Sequence, residues 1–518
     1  MKSKFTWLLI ACIIVLWHGH ADVNVSYAAE QQQAQHVLLV YDSLAVGSAK
    51  EGNVDALKRL LSSMGAEVTT VQLEQYAEGR LADYSHVIVM RNEANPIYES
   101  DKLLQDMEQY KGNYMHIGSS PPDQLKEALS LELKEEPSEG ITLVLDRFSG
   151  TIALNHGDKL IASTANEVNT YGNIYSYKGD NASPYGAKLG RYAYMPFYNR
   201  GDMSEWAASF VIKDWLGVQR QGNVYVMLRE VYPFSDLDKL RALSDQLYEA
   251  GIPFIVSTKP LFSNFDYPAA IRYAETLKYM QSRNGSILVD APAVASTISA
   301  DKSVLKQNMM SYIHFLAEHD IAPLGATAEM YWFADQYYTA EGLSFYDSAI
   351  MLPNEKVMSY LPTDTITAYS SSVYSIDVER WQQYASREKV IQSMPLDIAL
   401  TINMLDDPAL LEQQLAWLAE SWTVYSDYKA SNHRVVTDND EITAEQGQLK
   451  VNGQTVVLQE AYASISSEHV YIEEQEASLE QLFTIQNKIF IVLIVIVLVI
   501  FSVLILIGYR MYRKKYRR

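Results

Sequence analysis

Apolar and polar positions alternate in blocks from His36 onward. "HVLLVYD" is an unbroken apolar run that predicts a buried strand. "NVDALKRLLSSM", Asn53 to Met64, spaces its apolar residues along one helical face before Gly65 ends it. "EVTTVQL", "HVIVM" and "YMHIGSS" predict further strands. Strand, helix, strand in that order implies a parallel sheet over residues 36–135. Its first loop, "DSLAVGSAKEGN", carries Ser43, Gly47, Ser48 and Gly52 where a doubly wound sheet can hold phosphate. The spacing fits no nucleotide fingerprint, which favours a plain loop. Residues 136–222 turn to short strands with a dense run of tyrosines, Tyr171, Tyr175, Tyr177, Tyr185, Tyr192, Tyr194 and Tyr198. Core packing accounts for them, and a flat aromatic platform for sugar rings is the alternative.

From Asn223 the blocks lengthen. "VYVML" predicts a strand, and Ser235 with Asp238 a capping box for the helix "DLDKLRALSDQLYEAG". "IPFIVSTKP", "SILVDAP", "APLGATAEM", "SAIML" and "DIALTINM" predict five more strands, with helices over 267–283, 304–319 and 407–428. Repeated strand and helix units predict a (β/α) barrel over 223–429, with functional groups at the carboxyl ends of its strands. Residues 430–487 are polar, with one hairpin signal at Asn452-Gly453, and read as a spacer and helical stalk.

The ends carry different signals. Residues 1–28 combine Lys2 and Lys4, an apolar run and the small residues of "SYAA", the pattern of a secretory signal peptide. Cys12 is the chain's sole cysteine; "LIAC" resembles a lipoprotein processing box, but the apolar run continues past it. Cleavage after Ala28 leaves no thiol, which excludes a disulfide framework. Residues 488–508 include nineteen uncharged residues from Ile489 to Ile507, about 28 Å as a helix and enough to cross a bilayer. The basic tail 509–518 then implies a cytoplasmic end and an extracellular body, a single-pass protein of the cell membrane.

The formal charge of −21 becomes −28 over residues 29–488 once the tail's six cations and the signal's net +1 are left out. A surface this acidic repels nucleic acid and anionic lipid headgroups. It suits solubility, and it also suits a cationic or amino-sugar partner.

"VYVMLREVYPFSDLDKLRALSDQLYEAGIPFIVSTKP" and "AETLKYMQSRNGSILVDAP" resemble a DUF2334-type family of bacterial proteins that belongs with the polysaccharide deacetylases. The likeness runs from about Val224 to Tyr425. It implies a deacetylase-type barrel in which the first strand ends in an Asp-Asp pair, base and metal ligand, and a later strand supplies His-x-x-x-His. There a divalent metal, usually zinc, polarises the acetyl carbonyl and acidifies its bound water. By that alignment Arg229 and Glu230 stand at the acidic pair, Asp290 at the first histidine, Val294 at the second, and Asn403 at a later strand-end histidine. Val294 has no lone pair, and Arg229 is a permanent cation that repels a dication. No G-x-S-x-G, Walker, H-E-x-x-H or cysteine-based motif offers another reaction.

The expectations are therefore an N-terminal flavodoxin-like parallel α/β domain, a (β/α) barrel of polysaccharide-deacetylase type and a C-terminal single transmembrane helix. Arg229, Glu230 and Asp290 are expected either as a mutually neutralising charge cluster or, with Asn403, as a sugar-binding cleft, without metal or cofactor. The implied partner is an extracellular polysaccharide or the membrane machinery that makes it, and no nucleic acid. The rival reading is a divergent deacetylase or hydrolase that uses Glu230 and Asp290.

Overall fold

A computed structural model describes residues 35–93, 101–136, 140–155, 157–176, 182–292, 303–355, 365–385, 394–458, 493–494, 497–498, 501 and 503–510. The signal peptide with Cys12, the stalk at 461–487 and most of the basic tail lie outside them. Residues 1–459 form one unit and residues 460–518 another.

The first layer is a ten-stranded sheet in the order Thr365–Ile366, Ala66–Gln72, Gln35–Tyr41, His86–Met90, Asn113–Ile117, Tyr192–Met195, Ser183–Leu189, Asn169–Ser176, Gly140–Leu145, Phe148–Ala153. The strands from Ala66–Gln72 to Tyr192–Met195 are parallel, and antiparallel strands extend them. Val37, Leu38, Leu39 and Val40 are all buried, as a continuous apolar run requires in a sheet covered on both faces. Within the tyrosine-rich stretch, Tyr185, Tyr194 and Tyr198 are buried, whereas Tyr175 is exposed.

Helix Asn53–Ser63 joins this layer to the next, with every residue except Asp55 buried. One side covers the sheet. From the other, Arg59 donates to the Ser375 carbonyl at 3.0 Å and lies over the Tyr374 ring at 3.8 Å. Glu205, on helix Met203–Leu216, completes the ion pair at 3.4 Å.

The second layer is a closed barrel of seven parallel strands: β1 (Val224–Val231), β2 (Phe254–Thr258), β3 (Gly285–Asp290), β4 (Pro323–Glu329), β5 (Ser348–Leu352), β6 (Ser371–Asp377) and β7 (Ile398–Asn403). β7 closes on β1 in the register Val224↔Ile398 to Arg229↔Asn403. Residues 433–455, within the stretch read as spacer, form a four-stranded antiparallel sheet. Asn452 and Gly453 turn its last hairpin at positive φ. His433 seats this sheet on the barrel, bonded to Ser348 Oγ at 2.9 Å and to the Tyr428 carbonyl at 2.7 Å.

Several expectations are corrected. What closes is a sheet of parallel strands, not the (β/α) barrel expected from the resemblance. Between β5 and β6 no helix occurs among the described residues. That connection instead contributes Thr365–Ile366 to the edge of the first sheet, antiparallel to Ala66–Gln72. β6 itself escaped the apolar pattern because "SSVYSID" buries serines; Ser372 and Ser375 are both buried. The flavodoxin-like parallel domain is not separate either, since the strands of residues 140–195 continue its sheet and make it mixed. The transmembrane helix is not found: among the described residues no helix is long and apolar enough to cross a membrane. Finally, the capping residue is Asp236, which accepts from the Lys239 N–H at 3.0 Å, while Ser235 accepts from the Tyr232 N–H.

Candidate functional site

The carboxyl ends of β1 to β5 gather the charged residues of the barrel. Neighbouring residues on a strand point to opposite faces, so Arg229 and Glu230 should not both reach the mouth. A break in the β1–β2 register between Leu228 and Val231 resolves this. Glu230 sits at φ 59°, the left-handed region that side chains other than glycine seldom adopt. The bulge turns both side chains into the opening, with Arg229 Nη2 3.8 Å from Glu230 Oε1. Such strained backbone concentrates at functional sites.

The centre of the cluster is a lysine that no motif marks in the sequence. Lys259 follows β2 directly, and its Nζ lies 3.0 Å from Asp290 Oδ2 and 3.5 Å from Glu230 Oε1. Arg229 Nη2 meets Glu355 Oε1 at 3.0 Å. Glu329, at the end of β4, accepts the Glu355 N–H at 3.1 Å and so fixes the loop after β5. Lys259 carried one signal, a lone charge placed just after an apolar strand; Glu355, three residues beyond its strand and next to Lys356, carried none.

Electrostatics favour the charged forms of the two cations. Burial pulls the Lys259 ammonium down, but Asp290 and Glu230 outweigh it and hold it above its ordinary value. Arg229 behaves likewise: burial is opposed by Asp290, Glu355 and Glu230, and the guanidinium ends above its usual range. Burial pushes the Asp290 carboxyl up, against Lys259 and Arg229.

This donor set does not fit a dication. The ammonium occupies the space between the two carboxylates that would have to coordinate it, and a guanidinium flanks one of them. Among the described residues no three His, Cys, Asp or Glu side chains are grouped to hold a metal ion. Val294 lies outside the described residues. Of the described histidines, none stands at the carboxyl end of a barrel strand.

The structure brings Arg229, Glu230 and Asp290 together and leaves Asn403 aside. Asn403 is the register partner of Arg229, but its Oδ1 accepts the Leu405 N–H at 3.0 Å and closes its own turn. Aromatic residues edge the cluster. The Tyr232 hydroxyl donates to Glu230 Oε2, and burial with that carboxylate pushes it up to about 12. Phe234 stacks on Tyr232 with ring centroids 4.7 Å apart and is 79 % exposed.

No family model matches the chain, and no curated protein matches it. Among solved structures, a crystal structure of beta-arabinopyranosidase is similar at 8 % identity and a TM-score of 0.23, over 60 % of this chain and 59 % of that one. The chain thus spans less than two thirds of that protein. The radical S-adenosylmethionine methyltransferase TsrM from Kitasatospora setae, with cobalamin and an iron–sulfur cluster bound, is similar at 12 % identity and a TM-score of 0.14, over 66 % and 67 %. Likeness at this level carries no argument about what the chain does.

Proposed function

We propose that the barrel mouth recognises carbohydrate without transforming it, and that the protein binds or helps to handle an extracellular polysaccharide. One observation carries this reading: Phe234, 79 % exposed, lies stacked on Tyr232 beside a cluster of fixed charges. The apolar face of a sugar ring covers such an aromatic, while its hydroxyls find donors and acceptors in the neighbouring charged groups. A catalytic role is disfavoured by the pairing. Glu230 is engaged by Tyr232 and Lys259, and Asp290 is buried against Lys259. The resemblance to polysaccharide deacetylases and the acidity of the chain both point to an amino-sugar polymer.

The test is calorimetric titration of the full chain with a chitooligosaccharide and with its fully deacetylated form. Binding of either is expected, and Phe234→Ala weakens it about tenfold, ~1.4 kcal/mol, with the melting temperature unchanged. If neither sugar binds, or Phe234→Ala binds as well as the parent, the reading fails. The second reading, a hydrolase or deacetylase, is favoured by Asp290 alone, whose carboxyl burial pushes up as a general acid requires. Acetate release that disappears in Asp290→Asn replaces the first reading with the second.

A further inference from the structure

A cleft of about 400 Å³ lies between the first turn of helix Asn53–Ser63 and the loop after β5. Three arginines line it, Arg59, Arg200 and Arg380, together with Asp55, Glu205 and Glu355. Each of these carboxylates is already engaged. Asp55 pairs with Lys58 at 2.6 Å, and Glu355 with Arg229 at 3.0 Å. Glu205 takes Arg59 at 3.4 Å, the Gly201 N–H at 2.7 Å and the Tyr374 hydroxyl. Asp202 and Asp377, which share the adjoining hollow with Arg380, are bonded to Ser204 and Asn199 and to Thr401. The guanidinium groups of Arg200 and Arg380 remain, and neither makes a hydrogen bond or ion pair among the described residues.

Both are placed with care by the fold. The Arg200 guanidinium lies against Gly52, where a Cβ would come within 2.9 Å of Nη1, and that of Arg380 lies against Gly201, where a Cβ would come within 3.4 Å. The backbone of Arg200 is locked, because buried Asn53 accepts its N–H at 2.8 Å and donates to the Tyr198 carbonyl at 2.6 Å. Gly52 precedes a helix that has no side-chain cap. A cation at that end opposes the helix dipole. The fold therefore converges two guanidinium groups without ion-pair partners among the described residues and the positive end of a helix on one cleft, in a chain whose overall charge is strongly negative. That arrangement is stable when an anion completes it.

We propose that this cleft binds an oxyanion, the phosphate or carboxylate of an acidic ligand, between Arg200 and Arg380. The inference stands apart from the carbohydrate reading of the barrel mouth. Inorganic phosphate and glucuronate are titrated separately into the full chain at low ionic strength, followed by calorimetry and thermal melting. Saturable binding of at least one is expected. Arg200→Ala and Arg380→Ala each weaken it about tenfold, and Arg200→Lys weakens it less, because the forked contact is lost but the charge kept. Phosphate alone identifies a phosphorylated ligand, glucuronate alone an acidic sugar, and both an oxyanion site of broad reach. Arg200 is exposed and makes no ion pair among the described residues, so Arg200→Ala melts like the parent without anion and loses the anion's stabilising shift. If Arg380→Ala does not fold, Arg200→Ala decides by itself. The proposal is overturned if neither anion binds saturably, if chloride at equal ionic strength has the same effect, or if Arg200→Ala binds as the parent does.

Discussion

Lys259 lies 3.0 Å from Asp290 and 3.5 Å from Glu230, so one ammonium bridges two carboxylates at the barrel mouth. Removing it strands the Asp290 carboxylate in a site with almost no solvent access. Lys259→Met is therefore expected to cost about 3–5 kcal/mol in urea unfolding. Asp290→Leu added to it should restore much of the loss, because an apolar pair of similar volume carries no desolvation penalty. Additive losses in the double variant would show that the two side chains do not act as a pair. The sequence exposed only part of this cluster. Arg229, Glu230 and Asp290 stood out through the family resemblance, whereas Lys259 lay unmarked within the strand "IPFIVSTKP". Nothing local predicts that the β1 bulge sends Glu230 toward it.

Among the elements, the long apolar runs were the most legible: "HVLLVYD", "HVIVM", "SILVDAP" and "SAIML" all form buried strands. β6 was not legible, because its buried Ser375 meets Arg59 and the β5 backbone rather than an apolar face; Ser375 Oγ donates to the Met351 carbonyl at 2.9 Å. Three strands also bury a histidine. Burial lowers His116 to about 3 and His86 to about 4, and it lowers His433 as well. An unfolded chain protonates these rings near pH 6.5, whereas the native chain does not. Their contribution to stability is thus complete above pH 6.5 and is lost as the pH falls from there toward 4 and, for His116, toward 3. Each histidine adds up to about 1.4 kcal/mol per pH unit inside its window. Unfolding free energies measured from pH 7 to 4 should decline accordingly, and His116→Gln should flatten the curve. An unchanged slope in that variant would mean that His116 takes up its proton in the native state.

Across the whole molecule, the sheet and the barrel share helix Asn53–Ser63, and Arg59 is its main polar link to the barrel wall. Its guanidinium reaches Ser375, Tyr374 and Glu205 from a position only 4 % exposed. The periodicity of "NVDALKRLLSSM" predicted the helix but not the burial of Arg59, since a helix covered on two sides differs little in pattern from one covered on one. Thr365–Ile366 makes a second tie by joining the edge of the first sheet out of the barrel's own connection. Two layers tied in this way cannot unfold independently without exposing one face of a buried helix. Arg59→Met leaves the Glu205 carboxylate buried and unpaired, so a loss of about 3–5 kcal/mol is expected. The loss should reach both layers together. Native-state hydrogen exchange reads this directly: the amides of strand Gln35–Tyr41 and those of β7 should fall in protection by equal free energies in Arg59→Met. A fall confined to one layer would mean that the helix belongs to that layer alone and that the other is held by its own contacts.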